Sequence, residues 1–135
     1  MNFLLRRTSR IVARYYDDVL KATGLRSTQF NVMAVLAQTG PISLTELASL
    51  LGMERSALAR NLKPLERSGF AVASAGDDRR VRMVELTGAG KQKLRKALPH
   101  WAKAQTHLAQ KLDSGDVSRL AALLKNITGH IEPKR

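Results

Sequence analysis

Between residues 55 and 67 the chain carries five side chains that share one chemistry, the donation of hydrogen bonds. Ser56, Arg60, Lys63 and Arg67 follow one another at steps of 4, 3 and 4, with Arg55 beside them, while Leu58, Leu62 and Leu65 fall on the other side. On a helix this spacing gives one cationic face and one apolar face. The apolar face fixes the helix to a core, and the cationic face offers donors to whatever lies outside. Charge on a helix face is usually no more than solvated, so a polyanion-binding reading depends on the rest of the chain. A second cationic pair, Arg79 and Arg80, follows the turn-forming run Gly76-Asp77-Asp78.

Other chemistries fail on spacing. Thr87-Gly88-Ala89-Gly90-Lys91-Gln92 suggests a phosphate-binding loop, but Glu85 stands where the first glycine is needed and Gln92 where a serine or threonine must bind magnesium. His100 and His107 are two turns apart with no carboxylate nearby, so no metal site is expected. No serine, histidine and aspartate fall on recognisable catalytic turns. Neither an enzyme nor a cofactor is expected.

The elements that position the cations can be read around them. Ser43 is a cap for a short helix, with Glu46 placed to reach back to the Ser43 N–H. Leu47, Leu50 and Leu51 keep helical spacing and Gly52 supplies the turn. The two helices within residues 44–70 therefore form a helix-turn-helix, with the cationic helix in the reading position. Pro64 removes a backbone donor and crowds the Arg60 carbonyl, which predicts a kink or a loosened last turn near Arg60–Lys63. Residues 71–74 and 81–86 flank the run at 76–80 as a hairpin. A helix-turn-helix followed at once by a basic-tipped hairpin is a winged helix, whose wing arginine can enter the minor groove while the helix occupies the major groove.

Upstream, residues 2–22 have apolar pairs at helical spacing together with Arg6, Arg7, Arg10 and Arg14. A transit peptide and a membrane-surface helix compete with a structural helix here. The helix runs on through Asp17 and Asp18 without a linker, which favours the structural reading. Ser27 is the expected cap of an apolar helix containing Phe30, Met33 and Ala34, and Ile42-Ser43-Leu44 can form a very short strand. Downstream, Thr87 can cap a long helix in which Leu94, Leu98, Trp101, Gln105, Leu108 and Leu112 step by 4, 3, 4, 3 and 4, with a bend expected at Pro99. Val117, Leu120, Leu124, Ile127 and Ile131 repeat the step. These stripes read as a dimer interface, and an intramolecular helical hairpin is the alternative.

Whole-chain properties agree. Among 135 residues, 23 Lys and Arg stand against 11 Asp and Glu, a net charge of +12 that favours nucleic acid or an acidic membrane as partner. Aromatic residues make up 4%, too few for stacking platforms on single strands. There is no cysteine, which excludes disulfides and thiol redox chemistry and fits a reducing compartment. No apolar run approaches the roughly 18 residues of a membrane span.

Several stretches resemble the MarR family of bacterial transcription regulators. They are Ser43-Leu44-Thr45-Glu46-Leu47-Ala48, the segment LKPLERSGF at 62–70, and Asp78-Arg79-Arg80 followed by Leu86-Thr87-x-x-Gly90. Phe30 in TQFNVMAVL and Pro99 with Trp101 in LPHWAKAQ are similar to one branch of it. The resemblance implies a winged-helix dimer on near-palindromic double-stranded DNA, often released by a small molecule or oxidant. It makes Arg80 the minor-groove residue, Asp78 the group that orients it, and Arg79 a phosphate or second groove contact. Arg55, Ser56, Arg60 and Asn61 fall where such proteins touch bases and phosphates, with Lys63 and Arg67 on the same helix. It also implies an effector pocket that Tyr15, Tyr16, Phe30 and Met33 could line and where Arg14 could hold an aromatic carboxylate or phenol, although ordinary core is an equal reading of these residues. The chain departs from the pattern at Glu54, a poor cap that repels phosphate, and in lacking a sensing cysteine. Met1 is short of the usual N-terminal lead, so an upstream segment could precede it.

The expectation is a mainly α protein with a small β-hairpin: one domain over 1–135, a winged helix-turn-helix core at 27–90, and dimerisation helices at 1–22 and 91–135. It is expected to be a cytoplasmic, sequence-specific DNA-binding regulator, a repressor released by an effector, with no membrane partner. An architectural protein coating DNA with little sequence preference is the alternative.

Overall fold

The structure, a computed structural model, describes residues 1–132; residues 133–135, the end of the expected C-terminal dimerisation segment, lie outside the described residues. Helix α1 spans Asn2–Leu20 and a 3-10 turn covers Lys21–Thr23. Helix α2 (Ser27–Thr39) is the apolar centre, with Phe30, Val32, Met33 and Leu36 buried. Ser27 is not its cap. Arg26 holds that position and Ser27 is the first helical residue, whose N–H has no helical acceptor. That N–H donates to Asp17 Oδ1 of α1 at 2.7 Å, and Gln29 Oε1 accepts from the Arg26 N–H at 2.9 Å. A carboxylate from a neighbouring helix does what a local serine was expected to do.

Strand β1 (Ile42–Ser43), helix α3 (Leu44–Leu51), helix α4 (Arg55–Arg67) and strands β2 (Ala71–Ala75) and β3 (Arg82–Leu86) follow. The antiparallel sheet has the order β1-β3-β2, with Ile42 opposite Val84 and Ala73 opposite Val84 on the other edge. The expected hairpin thus gains its third strand from the two residues that enter α3. One face of the hairpin packs inward through Ala71, Val84 and Leu86, against a core that includes Leu47, Leu58, Leu62 and Leu65.

Helix α5 (Gly88–Ala109) starts as expected at Thr87, whose Oγ accepts from the Gly90 N–H at 3.0 Å while its hydroxyl donates to the Gly69 carbonyl at 2.5 Å. Pro99 lies inside α5 as Pro64 lies inside α4, and each helix continues past its proline. Helix α6 covers Asp116–Ile131.

The chain divides into two compact units, Met1–Trp101 and Ala102–Arg135. The first takes in the N-terminal part of α5, because Leu94 and Ala97 are buried in the winged core and Trp101 stacks on Phe30 with ring centroids 5.7 Å apart. In the second, α6 has no buried residue, and Val117, Leu120, Leu123, Leu124 and Ile131 are all exposed. The C-terminal stripe is therefore not covered by an intramolecular hairpin among the described residues.

Candidate nucleic-acid interface

Three local devices fix α4 relative to the core. Ser43 Oγ accepts from the Glu46 N–H at 3.2 Å and caps α3. The Glu46 carboxylate then takes the Ser43 hydroxyl at 3.1 Å, rather than the Ser43 backbone N–H. At the other end of α3, Gly52 is left-handed (φ 61°), its N–H donates to the Ser49 carbonyl and the Met53 N–H to that of Ala48. This pair of bonds satisfies two orphan carbonyls while reversing the chain. Leu58, Leu62 and Leu65 then lock one side of α4 into the core with no more than 1% of their surface exposed.

The opposite side is open. Arg55, Ser56, Arg60, Lys63 and Arg67 are all exposed, as the spacing required. Asn61 is different: it is half-buried, and its Nδ2 donates to the Ala57 carbonyl of its own helix at 3.0 Å. One of its two amide hydrogens is thus committed to the backbone. Glu54 occupies the N-cap with extended backbone (φ −66°, ψ 141°) and makes no side-chain capping bond. Replacing it by serine keeps that backbone and adds a short acceptor for a free N–H, so Glu54→Ser should stabilise the fold by about 0.5–1 kcal/mol. The same change removes a negative charge beside the cationic face and should tighten binding to any duplex. Urea unfolding read by circular dichroism checks the first effect, and a lower midpoint than the unaltered protein would refute it.

At the wing tip, Asp78 organises Arg80. Its Oδ1 accepts from the Arg80 backbone N–H at 3.0 Å and from Nε at 3.3 Å, and its Oδ2 accepts from Nη2 at 3.3 Å. The Arg80 N–H first and its guanidinium second hold the Asp78 carboxyl below its ordinary pKa. A depressed carboxyl contributes stability above its unfolded value and loses it as pH falls through the folded one, so this arrangement is intact at neutral pH and opens only in acid. Arg80 keeps 90% of its side-chain surface exposed while being pointed by Asp78. Arg79 lines a groove of about 440 Å³ with Glu66, Ala73, Ser74, Ala75, Val81 and Arg82.

The sequence reading did not single out the last contact of this region. Arg82 Nη2 donates to Glu66 Oε1 at 2.7 Å and joins β3 to α4. The signal was there: Arg82 precedes Val84 and Leu86 at the period of a strand face that is otherwise buried.

The candidate effector residues fall into two environments. Met33 and Phe30, at 0% and 3% exposed, are part of the core. Arg14 is exposed, and Tyr15 and Tyr16 are half-buried on α1 with their rings edge-on at 5.8 Å. Burial first, and the charge of Tyr15 second, raise the Tyr16 hydroxyl above its ordinary pKa. Among the described residues no group of three His, Cys, Asp or Glu could hold a metal ion, and no helix is long and apolar enough to cross a membrane.

Comparison with known proteins places this geometry. The MarR family model matches residues 25–81. The HTH-type transcriptional regulator YhbI of Bacillus subtilis is 30% identical over 113 residues, 83% of this chain and 73% of that protein. YwoH of the same organism is 30% identical over 89 residues, and the match spans 66% of this chain and 65% of YwoH. Among solved structures, the transcriptional regulator MosR of M. tuberculosis in complex with DNA is 33% identical, covers 97% of both chains and has a TM-score of 0.83. A mutant of E. coli MarR complexed with operator DNA shares the fold at a TM-score of 0.84 and 23% identity, over 93% of this chain and 91% of that one. The two Bacillus proteins and MosR are named as transcriptional regulators. With the family model matched, a regulator 30% identical over 83% of this chain and a solved structure 33% identical over 97% of it with the same fold, this chain belongs to the MarR family.

Proposed function

We propose that the chain is a homodimeric regulator of transcription that binds near-palindromic double-stranded DNA in a sequence-specific way. The observation that carries the proposal is the pairing, within one compact unit, of two exposed cationic devices that are each held from behind. Arg55, Ser56, Arg60, Lys63 and Arg67 stand on a helix anchored by buried leucines, and Arg80 is aimed by Asp78. The helix would read the major groove, with Arg80 entering the adjacent minor groove and Arg79 on phosphate or groove edge. Asn61 would contribute through its second amide N–H and its carbonyl oxygen. Residues 27–90 form the reading core, and 1–22 with 91–135 supply dimerisation. A two-fold dimer would set its reading helices about 34 Å apart, one helical turn of DNA. MosR and E. coli MarR, whose structures hold DNA, support this reading.

The regulatory mode we propose is repression relieved by a small aromatic or phenolic effector, held near Arg14, Tyr15 and Tyr16 with Phe30 and Met33 behind them. Thiol oxidation is not the trigger, since the chain has no cysteine. The protein would act in the bacterial cytoplasm.

Selection of bound fragments from genomic DNA, followed by competition with random duplex, tests the proposal. One palindromic motif should emerge and outcompete random DNA by a factor of at least about 10³. In its half-site, Arg60→Ala should cost about 1–3 kcal/mol and relax one position, whereas Arg67→Ala should weaken all sequences alike. Arg80→Ala should lose most where the flanks are A·T-rich. A competition ratio near one would instead support an architectural protein driven by the net charge of +12.

A further inference from the structure

Residues 74–82 form the outer half of the wing, and little holds them to the body. On the face of the hairpin that turns inward, burial declines outward along both strands: Leu86 and Ala71 are buried, Val84 is buried opposite a half-buried Ala73, and Arg82 and Ala75 are exposed. The turn is stitched only to itself, through Gly76 to Val81 and Val81 to Asp78 backbone bonds and the Asp78–Arg80 pair. Among the described residues, a single side-chain hydrogen bond ties this outer half to the helices, from Arg82 Nη2 to Glu66 Oε1 at 2.7 Å. Glu66 is the less exposed partner, at 24% against 48% for Arg82. It sits one residue before Arg67, on the flank of α4 that faces the wing.

We propose that Glu66 is a positioning residue for DNA recognition: by holding Arg82, it sets the wing relative to α4 so that both reach their grooves together. The inference rests on the DNA-binding function proposed above. A partly exposed pair of this kind adds little to folding stability, because water screens it. Its effect lies in order. Two reading elements joined by a loose hinge must surrender that freedom on binding, and a preset angle removes the loss beforehand. Glu66 itself makes no DNA contact in this account. An acid beside a cationic reading face can only repel phosphate, so simple charge counting gives Glu66→Gln tighter binding. Positioning gives the opposite sign for a specific site.

The test has a DNA-free arm and a DNA arm. The chain has no cysteine, so Ser49→Cys on α3 and Asp77→Cys on the tip allow spin labels at two chosen points. The distance distribution between them should be narrow, and Glu66→Gln should broaden it without shifting the unfolding midpoint. On the selected palindrome, Glu66→Gln should weaken binding about threefold to tenfold, and the charge exchange Glu66→Arg with Arg82→Glu should restore most of it. The loss should vanish in an Arg80→Ala background, because Glu66 acts through the wing; additive losses would mean that it acts elsewhere. Unchanged or tighter binding together with an unchanged distance distribution would overturn the inference. Failure of the unaltered protein to prefer any duplex would instead overturn the proposed function, and the distance arm would still decide whether Glu66 holds the wing.

Discussion

Gly90→Ala will destabilise the fold by about 3 kcal/mol or more, whereas Gly88→Ala two residues earlier will leave it unchanged or improve it slightly. Helix propensity predicts the same sign for both, since alanine is favoured over glycine in a helix by about 1 kcal/mol. The surroundings separate them. A Cβ on Gly90 would run into the carbonyl oxygen of Phe70, while a Cβ on Gly88 meets nothing within 4 Å. The Phe70 carbonyl cannot simply move away, because it accepts the Thr87 N–H at 3.1 Å. The Thr87 hydroxyl in turn holds the Gly69 carbonyl. Gly90 is thus the point at which the start of α5 presses against the junction between α4 and β2. An added methyl must shift the helix that carries the cap or the strand that carries the wing. Urea denaturation of the two variants at equal protomer concentration, read at 222 nm, checks the contrast. Equal midpoints would show that the junction yields freely.

The same junction shows what could be read before folding. Leu86-Thr87 marks a strand end and a cap, and the structure uses both in that way, whereas the close approach at Gly90 depends on the Phe70 carbonyl 20 positions away. The turn at Gly52, the cationic face of α4 and the hairpin were legible for the same reason: each is set by residues within one or two turns of one another. What could not be read depends on partners brought together by folding. Ser27 looked like a cap because its type is right, but Asp17 from α1 satisfies the helix start across 10 positions. Glu66 and Arg82 stand 16 positions apart, and nothing in the spacing links them until β3 is laid beside α4. Nothing in the residue types around Asn61 tells that its amide turns back to the Ala57 carbonyl. Met33 and Phe30 were equally readable as pocket or core, and burial puts both in the core.

Leu120→Asp combined with Leu124→Asp should convert the protein from a dimer of about twice 14.9 kDa to a monomer of 14.9 kDa, and should weaken binding to the full palindrome by about 10²-fold or more. The two leucines lie one turn apart on α6, at 49% and 42% exposed, in a stripe with Val117, Leu123 and Ile131, which are exposed as well. On α1, Phe3, Leu4, Leu5 and Ile11 are likewise exposed. Each of these exposed apolar stripes, taken by itself, is of the kind that marks an interface, and a second copy of the same chain would satisfy it by two-fold symmetry. Carboxylates in that seam would be desolvated with no partner, at a cost of several kcal/mol. Each reading core would then hold only its own half-site, and the gain from tethering two half-sites would be lost. The winged core should remain folded, reported by the fluorescence of Trp101 stacked on Phe30. Loss of that signal would mean that the monomer does not fold alone, and the unfolding midpoint of the unaltered protein should then rise with protomer concentration. A double variant that stays dimeric and keeps its palindrome affinity would remove α6 from the interface.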